Sequence, residues 1–247
     1  MSILGTRVVR VEDRKFLTTG GVYTDDLVEE EFSRAVHLTF VRSPMAHGRI
    51  RGIDTRAARE APGVIAVFTI DDLDVAPLAP PFPMFNPQML RPWMASEVVR
   101  FVGEPIAAVL TEQVDQGEDA AELVEVDFEP MPAVLTTAQS AAGKVLLFPA
   151  AGTNLVATFG EPRDPAMFAD CEVVLTQRLR NQRLSPAPME PRAAAASWGA
   201  DGRLTLWCSN QGAQSVQGEL AGIVGVEPGR VHIRTVDVGG AFGAKQE

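Results

Sequence analysis

Residues 236–245 read VDVGGAFGAK: three glycines and two alanines around a single aromatic residue, Phe242, with Lys245 just behind. The run VHIRTVDV (231–238) alternates like a strand and delivers the chain into these small residues. Glycine and alanine keep side-chain bulk away, so backbone N–H groups of such a loop can approach an anionic or polarised ligand closely. Phe242 would add the apolar wall that ligand pockets usually need. Two familiar phosphate loops fail the test. A P-loop needs Gly-Lys followed by Ser or Thr, whereas Ala244 precedes Lys245 and Gln246 follows it. The dinucleotide fingerprint needs GxGxxG opening a helix, and 239–243 read GGAFG. The plain alternative is a tight turn with Phe242 in the core, and the loop alone favours it.

Working back from the loop, QGAQSVQGELAGIVGV (211–226) is patterned as an amphipathic helix with Val216, Leu220 and Ile223 on one face. AAAASW and RLTLWCSN predict a hairpin about Ala200-Asp201-Gly202. CEVVLTQRLRNQR predicts a strand from Cys171. Together 161–247 read as the first part of a second domain, and 133–160 as a connection. Residues 1–132 read as an α+β domain with a charged, irregular lead-in over 1–30. Its expected strands are FSRAVHLTFVR, GRIRGID, GVIAVFT, the two flanking Gly103–Pro105, and Val124–Phe128. Short helices are expected at DTRAARE, with Asp54 as N-cap, and from about Gln113. The proline-dense stretch 74–96 has no period and reads as a long functional or interfacial loop. No internal repeat is visible.

Composition narrows the function classes. At 247 residues and 46% hydrophobic content the chain is globular, and its 18 prolines and 21 glycines favour strands and turns over a helical bundle. A net charge of −10 lacks the basic footprint of a nucleic-acid binder. No apolar run approaches membrane-spanning length and MSILGTRVVR has no secretory h-region, so the expectation is a cytoplasmic protein. Cys171 and Cys208 lie too far apart for a CxxC pair, and with only three histidines the chain offers no protein-ligated metal.

Several ordered segments carry a resemblance. GTRVVRVEDRKFLTTGGVYTDDL (5–27), GRIRGIDTRAAREAPGVIAVFTIDDL (48–73) and VGEPIAAVLTE (102–112) resemble the a/b-hammerhead domain of molybdenum hydroxylases, the family of xanthine dehydrogenase, aldehyde oxidase and carbon monoxide dehydrogenase. RNQRLSPAPMEPRAAAASW (180–198), LTLWCSNQGAQSVQGELAGIVGV (204–226) and VDVGGAFGAK resemble the start of that family's molybdopterin-binding region. The resemblance covers almost the whole chain and implies the N-terminal portion of a large subunit.

The resemblance also implies roles. Gln211 matches the family's glutamine that donates to an oxygen on molybdenum, a task suited to an amide NH₂. Gly240, Ala241, Phe242 and Gly243 match its GGGFG cofactor loop, with Ala241 in place of a glycine, an extra methyl expected to be tolerated. Gln246 stands where xanthine-oxidising members carry a glutamate against the purine, so it is a substrate-facing candidate that argues against xanthine itself. Glu190 and Arg192 either shape the site or form an internal ion pair about Pro191, and Asp237 reads as structural. No catalytic residue is expected in this chain, because the family's catalytic glutamate lies downstream. The cofactor implied is molybdopterin, in simple or cytosine-dinucleotide form, shared with a C-terminal molybdopterin-binding polypeptide. A 2Fe-2S subunit and an FAD subunit are the implied partners, and an aldehyde or N-heterocycle the implied small-molecule substrate. The rival reading is a non-catalytic scaffold that keeps the hammerhead fold.

Overall fold

In the lead-in, the pattern EDRKFLT holds good helix formers without glycine or proline, and a short helix, α1 (Asp13–Thr18), forms where an irregular segment was expected. The structure, a computed structural model, describes residues 4, 5, 7–28, 30–160, 164 and 166–246. They divide into two units, 35–176 and 1–34 with 177–247. The lead-in joins the C-terminal residues, and the 133–160 connection joins the unit before it. Polar bonds explain the second point: Val156 accepts from the Asn86 N–H (2.8 Å) and Leu147 from Arg100 Nε (2.9 Å), while the Arg100 guanidinium lies over the Phe148 ring.

In the unit 35–176 the strands are β1 (His37–Arg42), β2 (Gly48–Asp54), β3 (Val64–Thr69), β4 (Val98–Val99), β5 (Pro105–Thr111) and β6 (Glu125–Pro130). They form two antiparallel sheets, ordered β1-β5-β3 and β4-β2-β6. The strands flanking Gly103–Pro105 therefore belong to different sheets instead of pairing with each other. Helical turn α2 (Arg56–Arg59) follows β2. Its N-cap is Thr55, not Asp54; the Asp54 carboxylate accepts from the Arg56 N–H and pairs with its guanidinium. Helix α3 (Asp115–Glu122) precedes β6, and α4 (Thr137–Ala142) carries a Thr136/Gln139 capping box.

Strand β5 is apolar on both faces, as a central strand must be. Val109 and Ala107 pack with Ala58, Val67, Ala120 and Val124, while Ile106 packs with Ile50, Ala95 and Val99. Each buried valine or isoleucine contributes about 1.5–3 kcal/mol. The loop 74–96 lacks strands, apart from an isolated bridge between Leu78 and Arg91, and is pinned by the Trp93 indole donating to the Ala76 carbonyl (2.9 Å).

Glu104 is 6% exposed and accepts from the Arg100 N–H. Burial pushes its carboxyl above the ordinary value of 4.5, against the opposing bond from that N–H and the charge of Arg100. Below 4.5 the group is protonated folded or unfolded, so its neutral form costs nothing extra there. As pH rises through the raised folded value, that stability is lost. Glu104→Gln, which keeps an acceptor for Arg100, should therefore melt higher than the parent at pH 7 but not at pH 4. Thermal melts at both pH values check this, and equal shifts would refute it.

In the other unit, β7 (Ala194–Trp198) and β8 (Leu204–Cys208) form the expected hairpin, with Gly202 at φ 74° in the turn. Helix α5 (Ala213–Val224) then carries the chain to β9 (Val231–Arg234), which pairs parallel with β8. A parallel neighbour needs such a crossover. The helix buries Ala221 and half-buries Val216, Gln217 and Leu220, whereas Ile223 is exposed; the inner face is rotated from the sequence expectation by the Gln217 side chain donating to the Val231 carbonyl (2.8 Å). Phe32 stacks edge-on against the buried Trp207, ring centroids 4.7 Å apart, which ties the lead-in to the sheet. The strand expected from Cys171 is absent. Residues 171–187 form no regular structure, and Val173, Leu175 and Leu179 are exposed, because no neighbouring strand accepts their backbone bonds.

Candidate functional site

The glycine loop leaves β9 through residues anchored on both flanks. The Asn210 side chain donates to Thr235 Oγ1 (2.6 Å), and the Asp237 N–H donates to the Val22 carbonyl (3.0 Å). Lys15 and the Val22 N–H both donate to the Asp237 carboxylate, and these bonds, Lys15 first, hold its pKa below the usual range. Asp237 is thus a fastener.

Beyond Val238 the backbone turns through conformations that side chains resist. Gly240 lies at φ 98° and Gly243 at φ 86°, and Phe242 sits at φ 49° with its residue 76% exposed. Positive φ at a bulky residue is an outlier that surrounding structure must enforce, and such strain clusters at ligand sites. Phe242 is therefore not a core residue, contrary to the plain-turn alternative. Ala241 is not among the positive-φ residues, which is why a methyl fits there. At Gly239 a Cβ would meet the Glu190 Cβ at 2.5 Å, so only glycine suits this close approach. The N–H groups of 240, 241, 242 and 243 meet no acceptor among the described residues. One loop thus carries four successive backbone donors with no acceptor among the described residues.

Beneath the loop lies a buried ionic cluster that the sequence reading did not assemble. Lys245 is 1% exposed, and its Nζ donates to Glu190 Oε2 (2.9 Å) and Ser209 Oγ (2.8 Å). The same carboxylate oxygen accepts from Ser209 Oγ (2.7 Å) and the Gly239 N–H (2.8 Å). Burial raises the Glu190 pKa, but the bonds from Ser209, Gly239 and Lys245 outweigh it and hold the carboxylate below the usual range. Glu190 does not pair with Arg192, which instead donates to the Ala244 carbonyl. The one trace of this cluster in the sequence is Lys245 itself, a lone lysine in a run of small residues.

Gln211 meets the loop at this cluster. Its N–H donates to the Lys245 carbonyl (2.8 Å), and the Lys245 N–H donates to Gln211 Oε1 (3.1 Å). Only an oxygen can accept that second bond, which fixes the amide and leaves Nε2 a donor with no acceptor among the described residues. Gln211 is an exposed residue. Gln246 is exposed and makes no bond among the described residues. Among those residues no group of three His, Cys, Asp or Glu is placed to hold a metal, and Cys171 and Cys208 are not bonded to each other. An open concavity of about 590 Å³ lies elsewhere, at the edge of β2 and β6. Asp54 and Arg56 in its wall pair with each other, and none of the candidate residues lines it.

Residues 18–132 match the aldehyde oxidase and xanthine dehydrogenase, a/b hammerhead domain, and residues 147–247 match the molybdopterin cofactor-binding domain. The chain belongs to the aldehyde oxidase and xanthine dehydrogenase family. Within that family it is 35% identical to the nicotine 6-hydroxylase large subunit of Paenarthrobacter nicotinovorans, over 99% of this chain and 30% of that protein. It is 30% identical to the carbon monoxide dehydrogenase large chain of Afipia carboxidovorans, over 98% of this chain and 31% of the other. Quinoline 2-oxidoreductase from Pseudomonas putida 86 has a similar structure, with TM-score 0.86 and 32% identity over 99% of this chain and 31% of that one. The chain thus spans under a third of the length of these family members. No helix among the described residues is long and apolar enough to cross a membrane.

Proposed function

We propose that this chain forms one wall of the cofactor site in the catalytic subunit of a molybdenum hydroxylase. The observation that carries the reading is the donor surface: the four amides at 240–243 and Nε2 of Gln211, none with an acceptor among the described residues. Oxygen-rich and anionic groups are what such a surface binds, and molybdopterin fits that description. The cytosine-dinucleotide form fits equally well by the same chemistry. Bound, the cofactor supplies two-electron oxidation of an electrophilic carbon with water as the oxygen source.

The chain's own contribution is orientation. Gln211 donates from Nε2 while its Oε1 stays on Lys245, and the 240–243 backbone cradles acceptors without paying desolvation of a charged side chain. Phe242 offers an apolar face beside them, and Gln246 presents a neutral amide towards substrate. N-heterocycles suit this best, since the relatives include enzymes named for nicotine and quinoline; an aldehyde is the second substrate class. The general base and most pterin contacts are expected outside residues 1–247, with iron–sulfur and flavin carriers as the proposed recipients of the electrons.

Purified chain by itself should hold far less than one molybdenum per molecule and show no turnover of N-heterocycles with an artificial acceptor. Elemental analysis with an activity assay tests this; stoichiometric metal together with turnover would overturn it. In the native complex, molybdenum should accompany this chain through purification, and a metal-free active complex would sink the whole reading.

A further inference from the structure

We infer that Glu190 and Lys245 are positioning residues, a buried latch that sets both the path of the glycine loop and the donor direction of Gln211. The inference rests on the proposed cofactor reading for its purpose, but its geometry stands apart from it. One carboxylate oxygen, Glu190 Oε2, holds the loop at both ends, through the Gly239 N–H at its start and through Lys245 Nζ at its finish. The Glu190 N–H also donates to the Gly239 carbonyl (3.2 Å), so glutamate and loop stem are joined twice. At the other end the Lys245 backbone is bonded to Gln211 in both directions.

The consequence is a relay of constraint. With its side chain 1% exposed, Lys245 cannot move without separating a buried ion pair, so its backbone N–H stays aimed at Gln211 Oε1. That bond allows one amide orientation, and Nε2 is left as the outward donor. Without the latch Gln211 could present oxygen or nitrogen with little preference, and an oxygen would repel the acceptor the site is built to receive. The same anchor forces the backbone through Gly240, Phe242 and Gly243 at positive φ, a path that needs fixed ends to persist. A second sign of a fixed arrangement is that Glu190 Oε1 is buried without a bond, so the carboxylate is held for its three bonds to Oε2.

A merely structural ion pair can be exchanged for packed apolar side chains with little loss of stability, which separates stability from positioning. The test therefore uses the chain as parent, as Glu190→Leu/Lys245→Met, and as Glu190→Gln. NMR hydrogen exchange is read at the Gly239 and Lys245 amides, and the Gln211 side-chain NH₂ is followed by its own signals. Thermal melts and the amides of β8 report on the fold. Both variants should keep β8 protected, while the Gly239 and Lys245 amides exchange about tenfold faster or more, roughly one hydrogen bond's worth. The Gln211 NH₂ signals should move to positions of a freely rotating amide. Where the double variant does not fold, Glu190→Gln is judged by the same criteria. Unchanged exchange at Gly239 and Lys245 with an unmoved Gln211 signal, in a variant with β8 protected, would overturn the latch. That outcome leaves the cofactor reading standing, because molybdenum content is measured separately; conversely, a metal-free native complex would refute the cofactor role while the exchange result stood.

Discussion

Lys245→Met is expected to destabilise the unit formed by 1–34 and 177–247 by about 3–5 kcal/mol, because it strands a buried carboxylate. Methionine fills most of the lysine stem's volume, so the loss measures charge and hydrogen bonding, not a cavity. Glu190 would keep Ser209 and the Gly239 N–H but lose its counter-charge, and Ser209 Oγ would lose a donor. Urea titration at pH 7 would read the change as a lower midpoint with an unchanged slope. The pH dependence has a definite sign. Since the Glu190 pKa is lowered in the folded chain, its contribution is present above the ordinary value of 4.5 and lost as pH falls through the folded one. The penalty of Lys245→Met should therefore shrink in acid, where a proton can replace the missing cation. A change below about 1 kcal/mol at pH 7, typical of exposed pairs, would show that water reaches the cluster.

Gln211→Glu should lower the turnover of the assembled, metal-loaded enzyme about 10–100-fold, the usual effect of altering a group next to a metal's ligands. Glutamate keeps an oxygen for the Lys245 N–H, so the loop should remain ordered and the melting temperature nearly unchanged. What it removes is the outward NH₂, replaced by an acceptor that carries charge. Gln211→Ala removes both ends and should cost activity and also loosen Lys245. Kinetics of both variants, normalised to molybdenum content, separate the two effects. Full activity in Gln211→Glu would exclude the donor role.

Much of the fold could be read from local pattern. The alternation in HLTFVR, the apolar run PIAAVLT and the Ala200-Asp201-Gly202 turn each correspond to an element because burial and turn chemistry act over a few residues. What escaped was non-local. Nothing in EVVRFVGEPIAAVLTE shows that β4 and β5 serve different sheets, since pairing depends on strands dozens of residues away. CEVVLTQRLRNQR has strand periodicity, but periodicity forms a strand only where a partner accepts its hydrogen bonds. In the candidate site, the glycine loop and Gln211 stood out by residue type. Lys245 and Ser209 did not, because their importance comes from sharing one carboxylate that lies many residues earlier in the chain.

The lead-in's attachment has a bearing on synthesis. Lys15 and Val22 find their acceptor, Asp237, only after more than two hundred further residues have been made. Residues 35–176 can thus close around their own core while Phe32 still lacks its partner Trp207. The segment that carries Trp207 and Asp237 must then capture the much earlier lead-in, a long-range closure that is slow and open to chaperone capture.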